Sequence, residues 1–441
     1  MRILFTPYGG GSIAHIVRSL AIADTLKADG HELLFTSPTT KKTFIEGAGY
    51  DVYGDGHPEV NLNDEHDQSI GYFKKNRPAF IAWLQDEISA AEDFHPDIIV
   101  NSPTFFGPIA GHKLNVPHVS IINAQWTGEF KGLLGLSLSE DTLAHGAMRR
   151  LSRPIFARQF ERVYMEEIRS FYRELKVPFE PKKRVELHSK HPILIPGIPA
   201  FEPIYQTPRT DIHYIGPLFW EGFEREPFVP QDIWPDFGSK PFVYVTLGGS
   251  IYRKQSYLDL IDALCKRDDW HILLSLGPNV SPHELPSGAD HLAIAPYAPG
   301  LAVCQYADAV ISTGGHGTVM QALWWGKPVI ALPHNIDQAT IAARLVELKL
   351  GRNMNGISLS GFSDRSRYFA QATGISWQAV IATTENVLED VTLKRGCQTF
   401  RARLRAYPHA ARLGADLVIS YAANYPKSLP SELDELETIM A

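Results

Sequence analysis

The chain has 441 residues, well above the roughly 100–150 of one typical domain, and this length favours two domains. Apolar residues make up 44% and charged residues 21% of the chain, as in an ordinary globular protein. The formal net charge of −7 argues against a general nucleic-acid binder, because such a protein needs positive charge to face a polyanion.

The first half alternates strand and helix patterns. A short apolar run, "RILFTPY", is followed by glycines and then by apolar residues at helical spacing, which Gly30 ends as a C-cap. The runs "HELLFTS", "DIIVNS" and "PHVSII" continue this rhythm. Strands that alternate with helices predict a parallel sheet covered on both faces.

The second half restarts the same pattern at "PFVYVTLGGS" and repeats it through "DAVISTGG" and "PVIALP". We predict an α/β protein with two Rossmann-like domains whose parallel sheets face each other across a cleft. The predicted units are an N-terminal domain (1–210), a linker rich in Pro, Gly and Asp (211–238), a C-terminal domain (239–415) and a helical segment that packs back on the first domain (416–441). In such sheets, ligands bind at the carboxyl ends of the strands.

The first glycine turn, "GGGSIA", contains Gly10, Gly11 and Ser12 and fits a relaxed dinucleotide fingerprint. An NAD site also needs a carboxylate near the end of the second strand, where this chain has Ser37 and Pro38. The turn therefore argues against a dehydrogenase, and the absence of G-x-x-x-x-G-K-[ST] argues against a P-loop NTPase.

The second glycine turn follows "DAVIS" and leads into a helix. Its members are Thr313, Gly314, Gly315, His316, Gly317 and Thr318. Small residues and open backbone N–H groups at a helix start can bind a diphosphate, although glycines alone also fit a plain tight turn. Asp337 and Gln338 begin another helix at the same sheet edge. Their side chains suit sugar hydroxyls, and Asp337 alone would also fit as a helix N-terminal acid.

The block from Tyr297 to Gly351 resembles the donor-binding signature of nucleotide-sugar glycosyltransferases with the GT-B fold, the UDP-glycosyltransferases and macrolide-type enzymes. The matching pieces are "YAPG", "DAVISTGGHGTVMQAL", "GKPVIALP", "DQ" and "LKLG", with "YIGPL" and "VYVTLGGS" before them. The resemblance implies a donor site formed by Ser250, Tyr297, residues 313–318, Asp337 and Gln338. This chain departs from the family at Tyr297 (Trp in the family), Gly300 (Gln) and Thr313 (His). In the family, the His at the position of Thr313 donates to the donor diphosphate. Three replacements stay open here: the Thr313 hydroxyl, His316, or the backbone amides of 314–318 alone.

His15 lies sixteen residues before His31, which matches the family's "GH…GH" spacing, with the first His as general base. A histidine with an ordinary pKa near 6.5 is largely neutral near neutral pH and can take a proton from an acceptor hydroxyl. The family orients this histidine with an Asp, and this chain has Asn101 at that place. Three outcomes stay open: a weaker His–Asn pair, an acid from elsewhere, or an acceptor acidic enough to need little help.

The resemblance implies an inverting, metal-independent transferase that uses a nucleotide-sugar donor, with UDP as the default, and no further cofactor. Segments 102–108, 123–128 and the aromatic residues of "YFKKNRPAFIAWL" suggest a small apolar or aromatic acceptor. The alternatives are a non-hydrolysing nucleotide-sugar epimerase and a catalytically impaired relative that only binds a donor.

The cell compartment is predicted from what the chain lacks. Cys265, Cys304 and Cys397 are too scattered for a disulfide framework or metal cluster and suggest small core residues of a reducing compartment. The N-terminus does not have a signal-peptide pattern, and no run reaches the roughly 18 apolar residues of a membrane helix. We therefore expect a cytoplasmic protein. An Arg- and aromatic-rich helix near 145–175 leaves a membrane surface and a lipid acceptor possible but not favoured.

Overall fold

The structure is a computed structural model. It describes residues 1–10, 13–60, 70–102, 106–127, 129–130, 161–188, 191–204, 211–220, 222, 227–248, 254–277, 280–354 and 376–425. Among the predicted site residues, Gly11, Ser12 and Ser250 lie outside these ranges, as does much of the Arg-rich stretch before residue 161.

Seven parallel strands form the N-terminal sheet, in the order β3-β2-β1-β4-β5-β6-β7. They are β1 (Arg2–Pro7), β2 (Glu32–Phe35), β3 (Asp51–Val52), β4 (Ile98–Ser102), β5 (His118–Ile121), β6 (Ile193–Ile195) and β7 (Ile212–Tyr214). The last strand lies inside the predicted linker, which therefore begins after Tyr214, because 212–214 pairs in parallel register with β6. Every residue of β4 is buried, as expected for a strand covered on both faces.

Helices cover both faces of this sheet. They are α1 (Ala14–Ala28), α2 (Thr39–Gly47), α3 (Ile70–Lys75), α4 (Arg77–Phe94), α5 (Ile109–Leu114), α6 (161–174) and α7 (Arg184–Leu187). On one face, Ile16 and Leu20 of α1 pack in a cluster with Phe5 of β1. On the other, α4, α5 and α6 pack around Phe106 and Phe171.

Six parallel strands form the C-terminal sheet, in the order β10-β9-β8-β11-β12-β13. They are β8 (Phe242–Thr246), β9 (His271–Ser275), β10 (Leu292–Ala295), β11 (Ala309–Ser312), β12 (Val329–Ala331) and β13 (Gly351–Asn353). The helices are α8 (Lys254–Leu264), α9 (Gly300–Tyr306), α10 (His316–Trp324), α11 (Ile336–Glu347), α12 (Trp377–Glu389), α13 (Val391–Leu404) and α14 (Ala410–Asn424). These two sheets confirm the predicted α/β class.

The last helix returns to the first domain. Gly414 of α14 lies so close to α1 that an added Cβ would be 2.8 Å from Ile22 Cδ1. Arg412 forms an ion pair with Asp29 at the end of α1, with 2.7 Å between Nη2 and Oδ2. The chain therefore crosses between the two domains twice.

Two of the three cysteines fit the predicted core role. Cys304 and Cys397 are buried, whereas Cys265 is exposed. The prediction is therefore wrong for Cys265, which lies directly after the last residue of α8.

Several histidines are buried in this fold, and this gives a prediction for acid stability. Burial lowers the pKa of five of them from 6.5: to about 3 for His15 and His112, to about 4 for His57 and His334, and well below 6.5 for His118. Below pH 6.5 these histidines therefore become protonated in the unfolded chain but stay neutral in the folded chain. Stability should fall as the pH drops, by about 1.4 kcal/mol per pH unit for each proton of difference. Differential scanning calorimetry at stepped pH should show the melting temperature falling from pH 6.5 towards about 4.5.

Glu87 works in the opposite direction and supplies the control. Burial raises its pKa from 4.5 to about 8, so this carboxyl disfavours the folded state progressively as the pH rises through that interval. The Glu87→Gln variant should lose this opposing effect, and its melting temperature should rise more steeply with pH than that of the wild type. A melting temperature that stays constant from pH 6.5 to about 4.5 would contradict the prediction.

Candidate active site

His15 lies in the first turn of α1, directly after the first glycine turn, and is partly buried. Its Nδ1 is 2.9 Å from the hydroxyl of Ser102, the last residue of β4. The Ser102 hydroxyl in turn donates to the carbonyl oxygen of Ile121 at 3.2 Å. Because a hydroxyl has one proton, Ser102 Oγ accepts from His15 Nδ1–H. This assigns the tautomer, so Nε2 carries the lone pair that can accept a proton.

The structure replaces the predicted His15–Asn101 pair with this His15–Ser102 pair. Asn101 is buried, and its side-chain amide donates to Thr6 Oγ1 at 2.8 Å. Successive side chains of a strand point to opposite faces, so Asn101 and Ser102 cannot both face α1. His15 thus has a neutral orienting partner among the residues that the structure describes.

The surroundings of His15 keep it neutral. Burial lowers its pKa to about 3, and the nearby charge of Arg18 acts in the same direction. Arg18, three residues after His15 on α1, contacts His316 of the C-terminal domain, so this side of α1 faces that domain across the cleft. The ring also packs edge-on against Tyr8, with 5.7 Å between the centroids, and Tyr8 packs against Trp83.

The second glycine turn joins β11 to α10. Gly314 has a φ of +79°, which favours glycine, and its N–H donates to Ser312 Oγ at 3.1 Å. The Gly314 N–H therefore already has an acceptor. The prediction that all backbone amides of 314–318 are open to a diphosphate is wrong at this residue. The helix begins at His316, with Gly315 as an N-cap residue that has no side chain to cap it. A Cβ added to Gly317 would meet nothing within 4 Å, so the space beside the first turn of α10 is open.

Asp337 and Gln338 lie in the first turn of α11, and Asn335 caps this helix through its side chain. The Asp337 carboxylate accepts hydrogen bonds from the Gln125 amide and from Trp126 Nε1, the latter at 2.9 Å, and both donors belong to the N-terminal domain. Gln338 links two loops of its own domain, since Oε1 accepts from His334 N at 3.1 Å and Nε2 lies 3.4 Å from Thr313 Oγ1.

A second contact across the cleft involves His316. Its Nδ1 is 2.8 Å from Arg18 Nη2, and its Nε2 is 3.1 Å from the carboxylate of Glu202. Arg18, His316 and Glu202 are all buried. The other oxygen of Glu202 accepts from the backbone N–H of Ala124 at 3.1 Å.

The remaining predicted residues lie near the edges of the site. Tyr297 follows β10 and is 50% exposed, so its ring is accessible. At Gly300, where the family usually has Gln, an added Cβ would be 2.5 Å from Gln321 Oε1, so the side chain of Gln321 fills that space. An added Cβ on Gly10 would collide with the backbone of Val60, so this glycine permits a close approach of two chain segments.

Sequence reasoning missed three residues here, Arg18, Glu202 and Gln321, and placed Ser102 only in the acceptor lining. Only Arg18 had a usable signal, because it lies three residues after His15 and shares its side of the helix. Glu202 has no local pattern, and its partner His316 is 114 residues away.

Within the described ranges, no group of three or more His, Cys, Asp or Glu could hold a metal ion. None of the helices in the same ranges is long and apolar enough to span a bilayer.

Two parallel sheets, each covered by helices, are the architecture of GT-B glycosyltransferases. The family "Glycosyltransferase family 28 C-terminal domain" matches residues 244–362. An uncharacterized glycosyltransferase of Methanosarcina mazei is 25% identical over 377 residues, which cover 80% of this chain and 86% of the relative. The NDP-glycosyltransferase YjiC of Bacillus subtilis is 21% identical over 89% of this chain and 94% of its own.

Among solved structures, the glycosyltransferase of kitacinnamycin aligns with a TM-score of 0.67 at 17% identity, over 95% of this chain and 98% of its own. These matches confirm the predicted resemblance to the UDP-glycosyltransferase-like family and the GT-B fold. A glycosyltransferase that uses a nucleotide-sugar donor is the class they support.

Proposed function

We propose that the protein transfers a sugar, with inversion, from a nucleoside diphosphate sugar to a hydroxyl of a small apolar or aromatic acceptor. His15 is the general base, and UDP is the first nucleotide to test. One observation carries this proposal: a neutral His15, held at Nδ1 by Ser102, lies three residues from Arg18, which contacts His316 at the uncapped N-terminus of α10 across the cleft.

The proposed step is a single displacement. The acceptor oxygen attacks the anomeric carbon and gives its proton to His15 Nε2. The bond from that carbon to the diphosphate oxygen breaks, and its electron pair leaves with the diphosphate. Because attack comes from the side opposite the leaving group, the configuration at the anomeric carbon inverts.

The leaving diphosphate is proposed to bind at the first turn of α10. The backbone N–H groups of Gly315, His316, Gly317 and Thr318 precede that of Val319, the first to donate within the helix, and no side chain caps this helix start. Together with the helix dipole they stabilise negative charge that develops on the leaving group. We propose no cofactor besides the donor.

The sugar is proposed to bind between α11 and the loop that carries Gln125 and Trp126. Asp337 would accept hydrogen bonds from sugar hydroxyls. Gln338, the next residue, would hold the loops of His334 and Thr313 beside it, since its side chain contacts both. The Tyr8–Trp83 pair beside His15, with Phe106 packed on Trp83, supports an apolar acceptor.

The test is a donor panel scored by thermal shift, because a bound ligand raises the melting temperature by mass action. UDP-glucose, UDP-GlcNAc, UDP-glucuronate, dTDP-rhamnose and free UDP are compared, and a preferred donor should stabilise the protein more than its nucleotide alone. The Asp337→Ala variant should bind that donor about 10- to 100-fold more weakly, because hydrogen bonds to a charged group are lost, while the affinity for free UDP stays within about threefold.

Trp126→Phe is the matched control, since it removes the indole N–H that Asp337 accepts but keeps an aromatic ring. Its donor affinity should change less than that of Asp337→Ala. Equal losses of sugar and free nucleotide in Asp337→Ala would refute the sugar contact. Conversion of the donor to its epimer without an acceptor, followed by NMR, would identify the epimerase alternative, and binding without any turnover would identify an impaired relative.

A further inference from the structure

Arg18 is an unusual residue for its position. It lies on α1, is only 5% exposed, and reaches the opposite domain through the hydrogen bond from Nη2 to His316 Nδ1. Burying a guanidinium is costly unless anions or hydrogen-bond acceptors compensate it. The groups that compensate the buried charge of Arg18 therefore have to be identified.

The hydrogen-bond directions around His316 are fixed by Arg18. A guanidinium can only donate, so His316 Nδ1 accepts and a neutral His316 carries its proton on Nε2. That Nε2–H donates to Glu202, whose other oxygen is already satisfied by the N–H of Ala124. Glu202 thus orients the imidazole and does not itself bond to the guanidinium.

Most of the N–H donors of the Arg18 guanidinium have no acceptor in the described part of the chain. In the described part of the chain, its Nη2 bond to His316 is the one hydrogen bond that Arg18 makes, and Nε and Nη1 have no acceptor there. Neither of these two nitrogen atoms is fully buried. Both therefore border open space, next to the side chain of the first residue of α10.

This open space lies between the proposed base and the proposed anion site. Arg18 is three residues after His15 on the same side of α1, and its charge acts on His15. Its guanidinium touches the side chain of His316, whose backbone N–H is one of the uncapped amides. An anion with several oxygens, bound at those amides, would supply the acceptors that the guanidinium lacks.

We propose that Arg18 is a further catalytic residue that binds the diphosphate of the donor through its free Nε and Nη1 groups. This inference rests on the proposed function. As the bond from the anomeric carbon to the diphosphate breaks, the electron pair goes to the diphosphate oxygen, and Arg18 stabilises the charge that forms there. It adds a charged donor to a site where Thr313 replaces the family's His.

The test compares nucleotides that differ by one phosphate. Isothermal titration calorimetry with UDP and UMP, and with dTDP and dTMP, is run on the wild type, Arg18→Gln and Arg18→Lys. Arg18→Gln should weaken diphosphate binding about 10- to 100-fold and monophosphate binding by less than about threefold. Arg18→Lys keeps the charge without the planar fork and should lie in between, which keeps the proposal testable if the Gln variant does not fold.

Equal weakening of diphosphates and monophosphates would mean that Arg18 only holds the two domains together, and would overturn the inference. Unchanged diphosphate affinity in both variants would overturn it as well. Either result leaves the proposed function standing, provided that the wild type binds a diphosphate. A wild type that binds neither UDP nor dTDP would instead refute the proposed donor site, and this inference with it.

Discussion

His15→Ala should lower kcat/KM for glycosyl transfer by about 10²- to 10⁴-fold, the usual contribution of a positioned general base. The substitution removes the imidazole that Ser102 anchors at Nδ1, and with it the lone pair on Nε2. Donor binding should stay within about threefold of the wild type, because the α10 amides are untouched. Initial rates with a preferred donor and calorimetry with UDP measure the two quantities separately.

Ser102→Ala is the matched control for this prediction. It keeps the base but removes the oxygen that orients it, so kcat/KM should fall only about 2- to 10-fold, the value of one neutral hydrogen bond. The proposed mechanism would fail if folded His15→Ala kept activity within a few-fold of the wild type. The wild-type rate should also lack an acid limb between about pH 5 and 7, because the pKa of His15 lies near 3.

The fold was accessible from the sequence, because it depends on patterns that short segments carry. Strand and helix periods alternate along both halves, and each glycine turn follows a strand. The carboxyl ends of parallel strands then share one edge, which brings the two turns to the cleft.

The partner of His15 was not accessible, although the right strand was chosen. A central parallel strand is buried on both faces, so its hydrophobic pattern does not reveal which face a given residue takes. Asn101 and Ser102 differ by one position, and that single step exchanges the two faces. The choice requires the packing of α1 against β4.

Contacts between the domains were also beyond sequence reasoning. The bond from Arg18 to His316 joins residues 298 positions apart, and the bond from Trp126 to Asp337 spans 211. No local pattern encodes such pairs, because they depend on how two separately folded units dock. For the same reason, the sequence suggested Asp337 as a sugar ligand but did not indicate that Gln125 and Trp126 donate hydrogen bonds to its carboxylate.

The anion site gives a second large effect, in which stability and binding should move in opposite directions. Gly315 is the N-cap of α10, with φ −60° and ψ 137°, angles that any residue adopts, and an added Cβ would meet only Thr313 Oγ1, at 4.0 Å. The carboxylate of Gly315→Asp should therefore accept from the N–H groups of Gly317 or Thr318 as a helix cap. The free energy of unfolding should rise by a few tenths of a kcal/mol, or about 1 kcal/mol at most.

Donor affinity should fall in that variant by about 100-fold or more, since the carboxylate both occupies the amides and repels the diphosphate. Gly315→Asn caps the same amides without charge and should give an intermediate loss, whereas Gly315→Ala leaves them open and should bind nearly normally. Calorimetric titration with UDP and thermal melts of the three variants measure both trends. If Gly315→Asp bound UDP as well as Gly315→Ala does, the diphosphate would have to bind away from the α10 amides. The proposed transfer would then lose its leaving-group site, even if His15 were essential.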